Sequence, residues 1–294
     1  MDEYTRRTRA WLDDIYTGPP SGEYVPHSPV YGFDPRSQYL GTYGHLFAIL
    51  TEIAAYEFDN CLEVGAGEGF LADLIRRVFG VPVAAVDLSL AASRRARDVF
   101  DLANCVGEAR QLPFKSGSVD LVVSINTLEH IADIALAFSE LKRVARGVVV
   151  VGMPHAARPG ERESAEDGEP HAHVSVLTRA EMRRLFGPQA RIRGSLSRFV
   201  RPLYAFAASD DVSDRPGYRF LRRSPVRPFY RLVRRLAASL DARRVVRHLC
   251  RIERAASRWS SQRTYESIVV CGLEGARRRA QPIPAGRILD QLLR

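Results

Sequence analysis

Apolar residues fall into short, nearly unbroken runs near positions 60–64, 82–87, 103–106, 119–125 and 147–153, with helix-period spacing in between. Runs without polar interruption, Val148–Val151 above all, read as strands buried on both faces, and the alternation predicts a mostly parallel α/β sheet covered on either side by helices. Upstream, apolar positions 40, 43, 46, 47, 50, 53 and 54 form a helical stripe over Ser37–Tyr56, and a shorter helix is predicted over about Thr5–Tyr16. Between those helices Pro19, Pro20, Pro26, Pro29 and Pro35 forbid regular structure. Tyr24, Tyr31 and Phe33 in that stretch read either as an aromatic lid over a substrate or as a strap packed on the core.

Further along, residues 154–173 form a polar loop crowded with Glu161, Glu163, Glu166, Asp167 and Glu169, long enough to be a lid or a locally disordered segment. Thr178 caps a helix running to Phe186, and Glu181 completes a capping box. Ala190–Val200 and Tyr265–Gly272 read as the two remaining strands, separated by residues 201–263. Within that interval Phe229, Leu232, Val233, Leu236 and Leu240 mark one amphipathic helix, and Val245, Val246, Leu249, Ile252 and Trp259 mark another, with arginines on the remaining faces. The chain thus divides into an N-terminal helical and aromatic segment (1–58), an α/β core (59–200), an arginine-rich helical insertion (201–263) and a last strand with its tail (264–294).

A hydrophobic content of 46% over 294 residues is enough for one substantial core with an elaborate cap. Charge is less ordinary. The formal net charge is +9, and lysine occurs only at 115 and 142, so the excess is arginine. Residues 201–263 hold 16 Arg against 5 acids, which leaves the rest of the chain slightly acidic. The basicity belongs to one segment. Cys61, Cys105, Cys250 and Cys271 include no C-x-x-C pair and read as small buried hydrophobes in a reduced, cytoplasmic setting. No apolar leader is visible at Met1–Tyr4, and no window has the ~18 apolar residues needed to span a bilayer, so any membrane association would be peripheral.

Chemistry concentrates at residues 60–70, Asn-Cys-Leu-Glu-Val-Gly-Ala-Gly-Glu-Gly-Phe. A strand ends in Glu63 and breaks into Gly65, Gly67 and Gly69 just before a helix, where a ligand can approach bare backbone. A dinucleotide G-x-G-x-x-G would place its third glycine at Phe70, so the spacing here is different. Val81–Asp87 is a second apolar strand ending in an acid, positioned for a ribose diol. Gly107-Glu-Ala-Arg-Gln-Leu-Pro-Phe114 and Ser118–Ile131, ending Asn-Thr-Leu-Glu-His-Ile, follow in order.

These three segments resemble the class I S-adenosylmethionine-dependent methyltransferases, in the branch that includes the ubiquinone/menaquinone methyltransferases. The resemblance covers residues 60–153 and implies a seven-stranded, mostly parallel Rossmann-like sheet closed by an antiparallel pair, with the helical insertion between its last two strands. It implies S-adenosylmethionine as cofactor. Glu63 would meet the ammonium, the amides of Gly65, Ala66, Gly67 and Gly69 the carboxylate, Asp87 the ribose hydroxyls and Leu88 the adenine face. Glu108 and Ala109 stand where the family has an Asp-Ala pair for the adenine, with Glu a departure at 108, and Asn126 completes the set.

On the acceptor side a hydroxyl benefits from a general base, whereas an amine needs little beyond losing its proton. His130, His171 and His173 are the candidate catalytic residues, and His155 is a further histidine after a strand. His171 and His173 with His155 could hold a metal, but no carboxylate at matching spacing supports one, and none is assigned. Nucleic acid is disfavoured as a partner, since neither an Asn/Asp-Pro-Pro-aromatic tetrad nor a Pro-Cys dipeptide occurs. The expected acceptor is an oxygen on a small or lipid- or glycan-linked anionic metabolite. A small amine, or a non-catalytic protein docking through its arginine helices, is the alternative, and the oligomeric state is left open.

Overall fold

The computed structural model describes residues 1–18, 24–156, 169–213, 219–223, 226–259 and 264–294. Pro19, Pro20 and the acidic residues Glu161, Glu163, Glu166 and Asp167 lie outside the described residues. Helix α1 (Glu3–Thr17) is capped by Asp2, whose carboxylate accepts from the Thr5 N–H at 2.8 Å, and α2 (Ser37–Ile53) carries the predicted apolar stripe. After the two-residue β1 (Tyr56–Glu57) come β2 (Cys61–Val64), α3 (Phe70–Phe79), β3 (Val83–Asp87), α4 (Leu90–Phe100), β4 (Ala103–Val106), β5 (Val119–Ile125), α5 (Ile134–Val144) and β6 (Ala145–Ala156). Next are β7 (Leu177–Thr178), α6 (Arg179–Phe186), β8 (Arg191–Ser197), α7 (Arg201–Ala207), α8 (Val226–Ala238) and α9 (Ala242–Trp259). The chain closes with β9 (Thr264–Gly272), β10 (Arg277–Arg278) and α10 (Ala285–Leu292).

The main sheet runs β4-β3-β2-β5-β6-β9-β8, with the short β7 paired to β6 off that path. Seven strands on that path match the number the sequence predicts, and β7 is an addition. Pairings β2·β3, β3·β4, β2·β5 and β5·β6 are parallel, and Glu63 stands in register with Ala85 on one side and Val123 on the other. The chain moves outward from β2 through β3 to β4, then returns to the opposite flank of β2 as β5. Strand order therefore reverses beside β2, and the crevice beyond the carboxyl ends of strands at such a reversal is where open α/β sheets bind ligands.

Two compact units make up the chain. The first comprises Met1–Val30, Glu52–Ile192 and Ser267–Ile283. Its core packs Leu62, Val122 and Val149 of the strands against Phe138 and Leu141 of α5 and Phe186 of α6, with the Phe138 and Phe186 rings edge to face at 4.6 Å. The Thr178 capping box is present: its hydroxyl accepts from the Glu181 N–H at 3.2 Å, while the Thr178 N–H donates to the Glu181 carboxylate at 2.8 Å.

The second unit comprises Tyr31–Thr51, Arg193–Glu266 and Pro284–Arg294. In it α2 buries Tyr39, Leu40, Tyr43, Phe47 and Leu50. A Cβ at Gly44 would fall 2.3 Å from the Tyr204 hydroxyl, so glycine there lets α7 come close to α2. One expectation fails in this unit. The apolar stripe predicted for α8 does not pack inward as that of an amphipathic surface helix would: Phe229, Leu232 and Leu236, with Leu240 just past the helix, are exposed. On α9 the buried face is Val246, Leu249, Cys250 and Glu253, while Ile252 and Trp259 are exposed. The reason is how α8 is held. Tyr230 is buried, with its hydroxyl donating to Asp211 at 3.2 Å, and Arg234 donates to the Ser209 carbonyl at 3.0 Å, which turns the apolar stripe outward.

Candidate active site

A cavity of about 130 Å³ lies in the first unit at the carboxyl ends of β2, β3 and β5. Its floor begins with the glycine loop. Gly65, Gly67 and Gly69 have φ of 76°, 51° and 79°, a left-handed region that L side chains rarely adopt. A Cβ at Gly65 would fall 2.1 Å from the Thr127 hydroxyl, and one at Gly67 would fall 2.7 Å from the Tyr16 hydroxyl. The loop amides that the family resemblance assigns to a ligand carboxylate are engaged within the protein. Gly65 and Ala66 donate to the Val86 carbonyl at 2.8 and 3.0 Å, Gly67 donates to the Asp87 carboxylate at 2.7 Å, and Gly69 donates to the Ala66 carbonyl at 2.9 Å. The steric partner of Gly67 is therefore Tyr16, not only the ligand space the sequence suggests.

Asp87 ends β3 and lines the cavity with Leu88. One of its oxygens accepts from Gly67 and the other from the Ser89 N–H at 2.8 Å, and each retains a lone pair for a hydroxyl donor. Burial raises its pKa, against those amide hydrogen bonds. Glu63 lies one residue before the loop, fully buried, with one carboxylate oxygen lacking any hydrogen-bond partner. Burial first, and the neighbouring Asp87 charge second, push its pKa up to about 8. A buried carboxyl with one unpartnered oxygen, beside a carboxylate with free lone pairs and a glycine loop, fits a ligand carrying an ammonium and a diol. Glu63, Ala66, Gly69 and His173 stand outside the cavity lining, whereas Gly65, Gly67, Asp87, Leu88, Glu108, Ala109 and Asn126 are on it.

The roof is α1. Thr5, Thr8, Leu12 and Tyr16 line the cavity, spaced so that one helical face points inward. Asp13 anchors the helix by accepting from the Ser89 hydroxyl at 2.6 Å and the Ala91 N–H at 3.1 Å. Arg110 anchors its start, reaching Asp2 at 2.7 Å and the Thr5 hydroxyl at 2.9 Å while also pairing with Glu108. Glu108 is thus committed to Arg110. Tyr16 is buried among acids, so burial and then the charges of Asp87, Glu68 and Glu63 raise its phenol pKa. Tyr24, Tyr31 and Phe33 do not line the cavity: Tyr24 lies under the Arg95 guanidinium at 3.3 Å, Tyr31 is exposed, and Phe33 stacks on Tyr43 at 5.5 Å.

The histidines assemble beside the Asn126 turn, whose φ of 51° is left-handed. His130 stacks on His171 at 3.6 Å between ring centroids, and Trp11 stacks on the other side of His171 at 4.9 Å. Nδ1 of His130 lies 3.2 Å from the Ala172 carbonyl, which places the proton on that nitrogen, and the Tyr4 hydroxyl donates to the same carbonyl at 3.2 Å. Burial, then the neighbouring histidines, lower the His130 pKa to about 3 and that of His171 to about 4. His130 and His171 line the cavity. His155 is elsewhere, with Nδ1 3.1 Å from the Ser267 hydroxyl. Instead of the His155 grouping, donor atoms of Glu129, His130 and His173 lie within 4.8 Å of one another, so a carboxylate does meet two histidines once the chain folds.

The comparisons with known proteins agree with this geometry. Residues 62–150 match the family model described as a methyltransferase domain. A malonyl-[acyl-carrier protein] O-methyltransferase from Geobacter sulfurreducens is 38% identical over 88 residues, covering 28% of this chain and 33% of that protein. A demethylmenaquinone methyltransferase from Roseiflexus sp. is 36% identical over 110 residues, covering 34% of this chain and 44% of that protein. The chain therefore spans less than half the length of these curated relatives. Among solved structures, geranyl diphosphate C-methyltransferase from Streptomyces coelicolor, in complex with Mg2+, geranyl diphosphate and S-adenosyl-L-homocysteine, superposes with a TM-score of 0.50 over 95% of this chain and 99% of that one. At 16% identity that likeness concerns the fold alone. Sheet order, the glycine loop after β2 with the acid ending β3, and the family match together make residues 62–150 a class I methyltransferase domain whose cofactor is S-adenosylmethionine.

Proposed function

We propose that the whole chain is a methyltransferase that methylates an oxygen of a small or lipid- or glycan-linked anionic metabolite. One observation carries the reading: a single cavity is lined both by the Gly65–Gly67 loop with Asp87 and by the imidazoles of His130 and His171. S-adenosylmethionine, when bound, supplies a methyl group on a sulfonium that is open to direct displacement. Asp87 would hold its ribose, Glu63, just behind the cavity lining, would meet its ammonium directly or through water, and α1 would exclude water from above. The chain's remaining task is to align the acceptor. Both imidazoles stay neutral far below physiological pH, so each can accept a hydrogen bond from an acceptor hydroxyl. Their low basicity favours alignment with partial proton transfer over full removal of the proton before attack. An anionic acceptor rests on the arginines of residues 201–263.

The test is release of S-adenosylhomocysteine from panels of hydroxyl and amine acceptors, repeated with His130→Ala, His171→Ala and His173→Ala. A hydroxyl acceptor should give a fall of roughly 10²-fold in kcat for His130→Ala with cofactor affinity unchanged. Equal turnover in all three variants would point to an amine acceptor. Cofactor binding without turnover on any acceptor would favour a binding protein.

A further inference from the structure

We propose that α8 is an interfacial helix that seats the second unit on an anionic phospholipid surface. The helix is amphipathic the wrong way round for a soluble protein. Its inward side is held by Tyr230, 2% exposed, and by Arg234, which pairs with Asp211 at 3.5 Å and lies over the Tyr230 ring at 5.6 Å. Its outward side carries Phe229, Leu232 and Leu236, 61%, 55% and 60% exposed, and the stripe continues through Leu240, 60% exposed, just beyond the helix. These positions follow at intervals of three and four residues, so they form one ridge along the axis. Single exposed apolar residues need no explanation, but three in a row on one helix, with a fourth just past its end, do.

Charge selects the occupant. Val226–Ala238 contains Arg227, Arg231, Arg234 and Arg235 and no acid, and Arg227, Arg231 and Arg235 are exposed. A second copy covering this ridge would bring two sets of like charges together without a counter-ion. A nucleic acid would answer the arginines but leave the apolar ridge in water. A bilayer containing anionic lipid answers both, with the ridge at the boundary of headgroup and acyl chain and the guanidiniums at the phosphates. No described helix is long and apolar enough to cross a membrane, which agrees with a helix lying in the interface plane. The inference does not depend on the methyltransferase reading, because no part of it uses the cavity.

The experiment is flotation of the full chain with vesicles of phosphatidylcholine alone and of phosphatidylcholine mixed with phosphatidylserine, at low and high salt and without methyl donor. Binding is expected only to the mixed vesicles, and high salt should weaken it. Leu232→Ser with Leu236→Ser should weaken it roughly a hundredfold. Arg231→Glu with Arg235→Glu should weaken it by about tenfold or more. All four side chains are exposed, so circular dichroism and the Tm of both variants should match wild type; the vesicle comparison is read from variants that meet this condition. Absence of binding to the mixed vesicles at low salt overturns the proposal. So does equal binding to neutral vesicles with no response to arginine reversal. Self-association, or retention of single-stranded RNA, in a protein that ignores vesicles assigns the ridge to that other partner and equally overturns it.

Discussion

Glu63 holds a carboxyl group whose ionisation is opposed by burial, with a pKa near 8, so at neutral pH the ligand-free protein keeps it largely protonated. An ammonium arriving beside it would reverse that preference and expel the proton. Cofactor binding at pH 7 should therefore release close to one proton, and affinity should rise with pH until about 8 and then level off. Calorimetry in buffers of different ionisation enthalpy measures this directly, and Glu63→Gln should abolish the release. Asp87 is expected to matter through hydrogen bonding. Asp87→Ala strands a diol without acceptors and should cost roughly 1–3 kcal/mol, about ten- to a hundredfold in affinity. Gly67→Val should be worse, because it forces a β-branched residue to φ 51° and drives its side chain into Tyr16.

Among the elements, α1 behaves as a cover fastened by Asp13 and Arg110. Asp13→Ala removes two anchors without touching the cavity lining. It should speed amide exchange across Glu3–Thr17 and weaken S-adenosylhomocysteine binding by roughly tenfold, whereas unchanged exchange would show that α1 is held by other contacts. The strands were legible because a sheet covered on both faces leaves continuous apolar runs, and the glycine loop was legible because only its spacing satisfies the sterics at Thr127 and Tyr16. The roof was half-visible: Thr8, Leu12 and Tyr16 recur every four residues, but nothing local says which element such a stripe will cover. Arg110, Trp11 and Glu129 were invisible for a different reason. Each gains its role from a partner more than a hundred residues away or on another turn of chain, as Arg110 does from Asp2 and Trp11 from His171. The outward turn of α8 escaped because hydrophobic spacing locates a stripe on a helix without saying whether it faces in or out.

For the whole molecule, the buried ionisable groups set a stability profile with pH. His45, His130 and His171 have folded pKa values of about 4, 3 and 4, below the ordinary histidine value. Their contribution is fully present above about pH 6.5 and is lost as pH falls toward the folded values. Glu63 and Glu68 are raised to about 8 and 7, so their contribution is present below about pH 4.5 and is lost as pH rises through 7 to 8. The ligand-free protein should thus show its highest Tm near pH 6–7 and lose stability toward pH 8.5. Scanning calorimetry of wild type and Glu63→Gln checks this, with the alkaline decline shallower in the variant. A Tm that keeps rising to pH 8.5 would mean that these carboxyls are solvated.

The fastening of α1 also has a consequence in time. Lifting of the docked helix that roofs the cavity would widen its exit, and here lifting means parting Arg110 from Asp2 and Asp13 from the start of α4. If the whole chain turns over as proposed and α1 must lift for exchange, departure of the spent cofactor should be the slow event of each cycle, and turnover should be nearly the same for good and mediocre acceptors. Because the Arg110–Asp2 latch is ionic and partly exposed, added salt should quicken that departure, so a catalyst weakened in affinity by salt would, at saturating cofactor, run faster.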